Sequence, residues 1–106
     1  MAQWDNKTTE NLLKAVLALK NTEEAKMFFR DLLTEAEILE FGKRWQAAQM
    51  LSENAAYFEI EKETGLSSRT IARVAKWFNK GMGGYKLILK RQNHHRNFVP
   101  TGRGLC

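Results

Sequence analysis

Apolar residues recur at helical spacing along almost the whole chain. Leu12, Leu13, Val16, Leu17 and Leu19 fall at the intervals of an amphipathic stripe, which predicts a first helix over about Thr8 to Lys20. Asn21, with Glu24 three positions later, starts a second helix that buries Ala25, Met27, Phe28, Phe29 and Leu32. Thr34 and Glu37 form a capping box for the third: the Thr hydroxyl accepts from the Glu37 amide, and the Glu carboxylate accepts from the Thr34 amide. That third helix, about Glu35 to Ser52, places Ile38, Phe41, Trp45 and Ala48 on one face and is the expected backbone of the core. Its opposite face carries Lys43, Arg44, Gln46 and Gln49. No alternating run is long enough for a strand, and proline occurs only at Pro100, so the expected fold class is all-α.

The most informative segment is Ala55 to Val74, AAYFEIEKETGLSSRTIARV, where one helix ends at Gly65 and the next begins within three residues. Gly65 supplies the left-handed conformation that a helix exit commonly uses, and Ser67 is a good N-cap for a helix starting at Ser68. Ile60, Leu66, Ile71 and Val74 then point into one junction, as a helix-turn-helix over about residues 55–80 requires. Ser68, Arg69, Thr70 and Arg73 are left facing outward on the early turns of the second helix. Arg makes paired hydrogen bonds to guanine and Ser or Thr serves base or phosphate, so these are side chains that major-groove reading needs. The positive N-terminal end of the helix favours a phosphate as well. The competing reading is an ordinary helical hairpin with solvated arginines.

Beyond the motif, Trp77 and Phe78 follow Val74 at three and four positions and are expected to continue its buried stripe. Gly81, Gly83 and Gly84 read as a tight corner, with a hinge as the alternative, before Tyr85, Leu87, Ile88 and Leu89 form a short last helix. From Gln92 to Cys106 the chain turns polar. Residues 1–91 are therefore expected to form the helical domain and 92–106 a polar basic tail, whose Arg96 and Arg103 add non-specific phosphate attraction.

Charge gives this layout a direction. Seventeen Lys and Arg against twelve Asp and Glu give +5 over 106 residues, but residues 1–63 hold all twelve acids and eight bases, a balance of −4. From Thr64 onward there are nine bases and no acid, or +9, which suggests a polyanionic partner for the second half. With 43% apolar residues the chain is too hydrophobic for disorder, and its length suits one small domain. No run approaches the roughly 18 apolar residues of a membrane span, and the cytoplasm is the expected location. The lone Cys106 cannot form an internal disulfide. His94 and His95 stand in a polar tail without Cys or carboxylate at ligand spacing, so no metal and no cofactor are expected. Neither a nucleophile elbow nor a phosphate-binding loop is present, and no catalytic residue is assigned.

Through three stretches, FFRDLLTEAEILEFGKRWQAAQML, EIEKETGLSSRTIARV and NKGMGGYKLIL, the chain resembles the Trp repressor superfamily in its TrpR-like YerC/YecD-type branch, over roughly residues 10–90. The resemblance implies six helices per subunit, an intertwined homodimer and operator DNA as partner. Carried over residue by residue, the recognition helix begins near Ser68. An amino-acid pocket of the family would fall at Thr34, Arg44, Thr70 and Arg73. At the next position the family's glycine, which lets an indole lie against the backbone, is replaced here by Val74. A branched side chain fills that space, so tryptophan is not expected as effector, and a different ligand or none is. Glu61 stands where small residues pack, and needs water or a base such as Lys62 or Arg73. Tyr57 and Phe58 replace polar DNA contacts; Tyr57 keeps a hydroxyl for a phosphate and Phe58 is expected in the core.

The expected function is a sequence-specific DNA-binding regulator, a repressor acting as a dimer on a palindromic site. Its candidate DNA contacts are Ser67, Ser68, Arg69, Thr70, Arg73, Lys76, Lys80, Arg44 and Tyr57. The alternatives are a helical protein-interaction adaptor whose basic half docks on an acidic protein, and a repressor gated by a small molecule other than tryptophan.

Overall fold

The computed structural model describes residues 2–98, which form six α-helices and, among the described residues, no strand. They are α1 (Lys7–Leu17), α2 (Thr22–Leu32), α3 (Glu35–Ser52), α4 (Tyr57–Thr64), α5 (Ser68–Lys80) and α6 (Gly84–Phe98).

Side chains at the starts of the helices set most of these boundaries. At α1 the Asn6 side chain accepts from the Thr9 amide at 3.0 Å while the Asn6 amide donates to the Thr9 hydroxyl at 3.0 Å. The helix stops at Leu17, short of the expected Lys20. The Ala18 and Leu19 amides bond three residues back, to Ala15 and Val16, and the Lys20 amide turns to the Glu24 carboxylate. Asn21 caps α2 through the Glu24 amide at 2.9 Å. The reciprocal Thr34 and Glu37 box opens α3, with bonds of 2.9 and 3.1 Å.

The chain divides into two compact units, one through Leu39 and the other from Glu40. In the first, neither α1 nor α2 has a buried residue; Leu17 is 83% and Met27 66% exposed. Phe28 and Phe29 meet edge to face, centroids 5.5 Å apart.

The second unit has a core of Ala47 and Ala48 from α3, Ile60 from α4, Leu66 from the turn, Ile71 and Val74 from α5, and Leu89 from α6. Of the stripe expected on α3, only Ala48 is fully buried; Phe41 is exposed and Trp45 half-buried. Small side chains let the helices approach closely, whereas the wide aromatic ones project past the packed junction. Trp77 is also corrected: expected in the core, it is 45% exposed. Three residues past Val74 the helix has turned away from Ile71, while Phe78, one residue further, turns back and stays half-buried. Phe58, expected in the core, is 70% exposed, because two residues before the buried Ile60 is about 200° around α4, on its outer side.

Between α4 and α5 the expected turn is present. Gly65 takes φ +76 and its amide closes α4 on the Glu61 carbonyl at 2.8 Å; Ser67 caps α5 through the Thr70 amide at 3.1 Å. Thr64, buried, joins the two sides: its hydroxyl donates to the Ile60 carbonyl at 2.6 Å and accepts from the Leu66 amide at 3.1 Å. Residues 81–83 form the corner between α5 and α6. A Cβ at Gly81 would collide with the Trp77 carbonyl oxygen, so no larger residue fits there without a backbone shift. The last helix is longer than expected, running to Phe98 through the polar segment that begins at Gln92; Arg103, Cys106 and the rest of the expected tail beyond it lie outside the described residues.

At Gly65 an added Cβ would meet open space, so the cost of Gly65→Ala is the left-handed backbone alone. We predict a loss of about 1–2 kcal/mol, read as a lower urea midpoint with unchanged helix content before the transition.

Candidate nucleic-acid interface

Along α5 the sequence separates into two faces. At 100° per residue, Ile71, Val74, Ala75 and Phe78 share one side, and the first three are buried. Arg69, Arg73, Lys76 and Lys80, spaced four, three and four apart, fall within about 60° of one another on the opposite side. All four are exposed, and none enters an ion pair among the described residues. The result is a cationic ridge running the length of a helix whose other side is locked into the core.

The short polar residues at the N-terminal end divide by role. Ser67 is committed to the helix: its oxygen accepts from the Thr70 amide, and its hydroxyl donates to the Thr70 hydroxyl at 3.1 Å. Thr70 is half-buried and thereby held in place. Ser68 is exposed, with no side-chain hydrogen bond among the described residues, beside Arg69 at the start of the ridge. Ser68, Arg69, Thr70, Arg73, Lys76 and Lys80 are thus presented by one rigid element.

Three of the other expected site residues stand elsewhere. Arg44, on α3, donates through Nε to Glu40 at 3.3 Å and lies 5.7 Å from the centre of the Phe41 ring. Tyr57 is an exposed residue of the first turn of α4. Thr34 is the cap of α3, its hydroxyl engaged with Glu37, in the first compact unit. Val74 is 1% exposed and faces the core rather than an open cavity. The lone-acid question at Glu61 resolves to solvent: it is exposed and unpaired among the described residues.

Two features escaped the sequence reading. Thr64 was unmarked, although a hydroxyl just before a helix-ending glycine is well placed to tie a turn together. An apolar groove in the second unit, lined by Trp45, Trp77, Met82, Gly84, Tyr85 and Ile88, was also missed, with the Trp45 and Tyr85 rings 6.1 Å apart. No cluster of metal-ligating residues occurs among the described residues, and no helix among them is long and apolar enough to cross a membrane.

The family described as Trp repressor protein matches residues 7–93. The chain is 41% identical to the protein YerC of Bacillus subtilis (strain 168) over 85 residues, covering 80% of this chain and 82% of that protein. It superposes on a TrpR-like protein from Eubacterium eligens ATCC 27750 with a TM-score of 0.83 at 37% identity, covering 86% of this chain and 94% of that one. A second solved structure, from Staphylococcus aureus, gives 0.82 at 36% identity, covering 88% and 96%.

The different duties of the adjacent serines can be separated by measurement. Ser67→Ala should lower stability by about 1 kcal/mol through loss of the cap, whereas Ser68→Ala should change it by less than about 0.5 kcal/mol; chemical denaturation compares them directly.

Proposed function

The chain belongs to the Trp repressor protein family, a family of DNA-binding regulators, and from that premise we propose that it is a sequence-specific repressor that holds a palindromic operator as a homodimer. The observation that carries this reading is the unpaired ridge of Arg69, Arg73, Lys76 and Lys80 on the face of α5 opposite the core. Ser68, Arg69, Thr70 and Arg73, nearest the N-terminus, meet base edges in the major groove, and Ser67 sets the helix end that faces a phosphate. Lys76 and Lys80 hold the backbone with the hydroxyl of Tyr57; Arg44 joins them where a phosphate displaces Glu40. Occlusion of a promoter is the simplest route from such binding to repression, and it needs neither cofactor nor enzyme chemistry. The site of action is DNA in the cytoplasm.

The dimer is supported by apolar surface that a single chain leaves uncovered. No residue of α1 or α2 is fully buried, and the groove around Trp45, Trp77 and Tyr85 is open, with Met82 of its lining 89% exposed. A two-fold partner would cover such faces and set two recognition helices in successive major grooves, about 34 Å apart. Tryptophan is not the effector in this reading. Val74 closes the backbone approach an indole would use, while the Thr34 hydroxyl is bonded to Glu37 within the chain.

Selection from random duplex DNA should recover a palindrome with half-sites about one helical turn, or a multiple of it, apart. Recovery of no motif at physiological salt would favour an adaptor whose basic half docks on an acidic protein. Arg69→Ala should relax preference at one base position by about 1–3 kcal/mol, while Lys80→Ala should weaken all duplexes alike and lower the salt slope by about 1. Saturating tryptophan should leave the thermal midpoint unchanged; a large rise would overturn the assignment at Val74.

A further inference from the structure

Thr64 is the one buried polar side chain among the described residues, at 5% exposure. It is the last residue of α4 and stands next to the left-handed Gly65. Its hydroxyl donates to the Ile60 carbonyl at 2.6 Å and accepts from the Leu66 amide at 3.1 Å. One oxygen therefore ties the body of α4 to the residue just before Ser67, the cap of α5. With the Gly65 amide held by the Glu61 carbonyl at 2.8 Å, the backbone is fixed on both sides of the glycine.

A hydrophobic junction does not by itself require such a link. Ile60, Leu66, Ile71 and Val74 decide that α5 closes against α4 and which of its faces turns inward. Apolar contact is non-directional, however, and crossing angles within one class of helix packing scatter by roughly 15–20°. Hydrogen bonds weaken steeply with angle, so a hydroxyl bonded on both sides of the turn narrows the direction in which α5 leaves it. The restriction acts at the near end of the helix. Ser68, Arg69, Thr70 and Arg73 stand there, in its first two turns, while Lys76 and Lys80 lie further along. These two groups respond differently to a loosened turn. Paired bonds to base edges need exact placement, whereas attraction to phosphates is independent of sequence and tolerates a small rotation.

We propose that Thr64 is a positioning residue for sequence reading: its hydroxyl sets the angle at which α5 presents the base-contacting side chains, without touching DNA itself. The proposal rests on the DNA-binding reading above and assigns part of the discrimination between sequences to a buried hydroxyl.

The test is a titration of the selected operator and of an unrelated duplex with the wild-type chain, Thr64→Val, Thr64→Cys and Thr64→Ser, with circular dichroism to verify folding and sedimentation to follow assembly. Valine keeps the volume and the branch and removes only the hydroxyl. Thr64→Val should weaken operator binding roughly tenfold, the worth of one base contact, and the unrelated duplex by less than about twofold, with the salt slope unchanged. The ratio of the two affinities then falls, which a loss of folded protein does not produce, since it weakens both duplexes alike. Thr64→Ser should restore the ratio. Thr64→Cys, whose thiol is a weak donor and acceptor, should fall between the two, and it takes the place of the valine chain if that chain does not fold. A folded valine or cysteine chain with the wild-type ratio overturns this role and leaves the DNA-binding reading intact. So does a loss of both duplexes by the same factor, or a serine chain that discriminates no better than the valine one. A wild-type chain that binds no duplex, or prefers none, overturns the reading and this role with it.

Discussion

Packing of Ile60 and Leu66 against Ile71 and Val74 is the contact on which the rest of the second unit depends. Four side chains from two short helices and the turn between them exclude water from one junction, and α4, at eight residues, is far too short to persist without it. Once the junction closes, the polar details follow. Thr64 finds both its partners, Gly65 can take its left-handed conformation, and Ser67 caps α5. Because α5 is gripped by every residue on one side, the other side has no freedom to rotate away. The positions of the cations are therefore a product of hydrophobic packing and owe nothing to attraction between the charges, which repel one another.

This arrangement separates attraction from positioning. The acid-free second part of the chain supplies a field that draws in a polyanion, while α4, in the same motif, is net negative. In the proposed mechanism, the four cations of α5 add to that attraction from an element whose other face is packed into the core, so their positions are fixed before a duplex arrives.

How much of this was legible in the sequence varied with the range of the physics. The boundaries of α3, the glycine exit at Gly65 and the cap at Ser67 depend on residues within four positions of one another, and the structure reproduces all of them. The apolar quartet was also readable, since helical spacing alone brings those four side chains to one side. What failed was the assumption that a large apolar residue is a buried one. Trp77 and Phe41 were placed inside as members of spaced apolar stripes and Phe58 by its apolar ring, but all three lie at or beyond the edge of the packed face. For Phe58 the spacing from Ile60 already contained the answer. The same holds for Trp77, turned away from Ile71, whereas for Phe41 spacing names a face of α3 but not how far the rest of the chain covers it. The candidate DNA contacts on α5 follow from the same spacing rule that identified its buried face. Arg44 and Thr34, carried over by resemblance, are engaged with Glu40 and Glu37: the Thr34–Glu37 box was already legible from the sequence, and the four-residue spacing from Glu40 to Arg44 could have named the other.

The uncovered faces of α1 and α2 have a thermodynamic consequence. Helices of eleven residues are marginal in water by themselves, and no residue of these two is fully buried within one chain. Whatever covers their remaining apolar surface adds to their order, and if that is a second copy, folding and association are one equilibrium governed by mass action. Such a protein has no fixed stability of its own. Its folded fraction rises with its abundance, and dilution alone, without any ligand or change of pH, would release both the helices and the DNA.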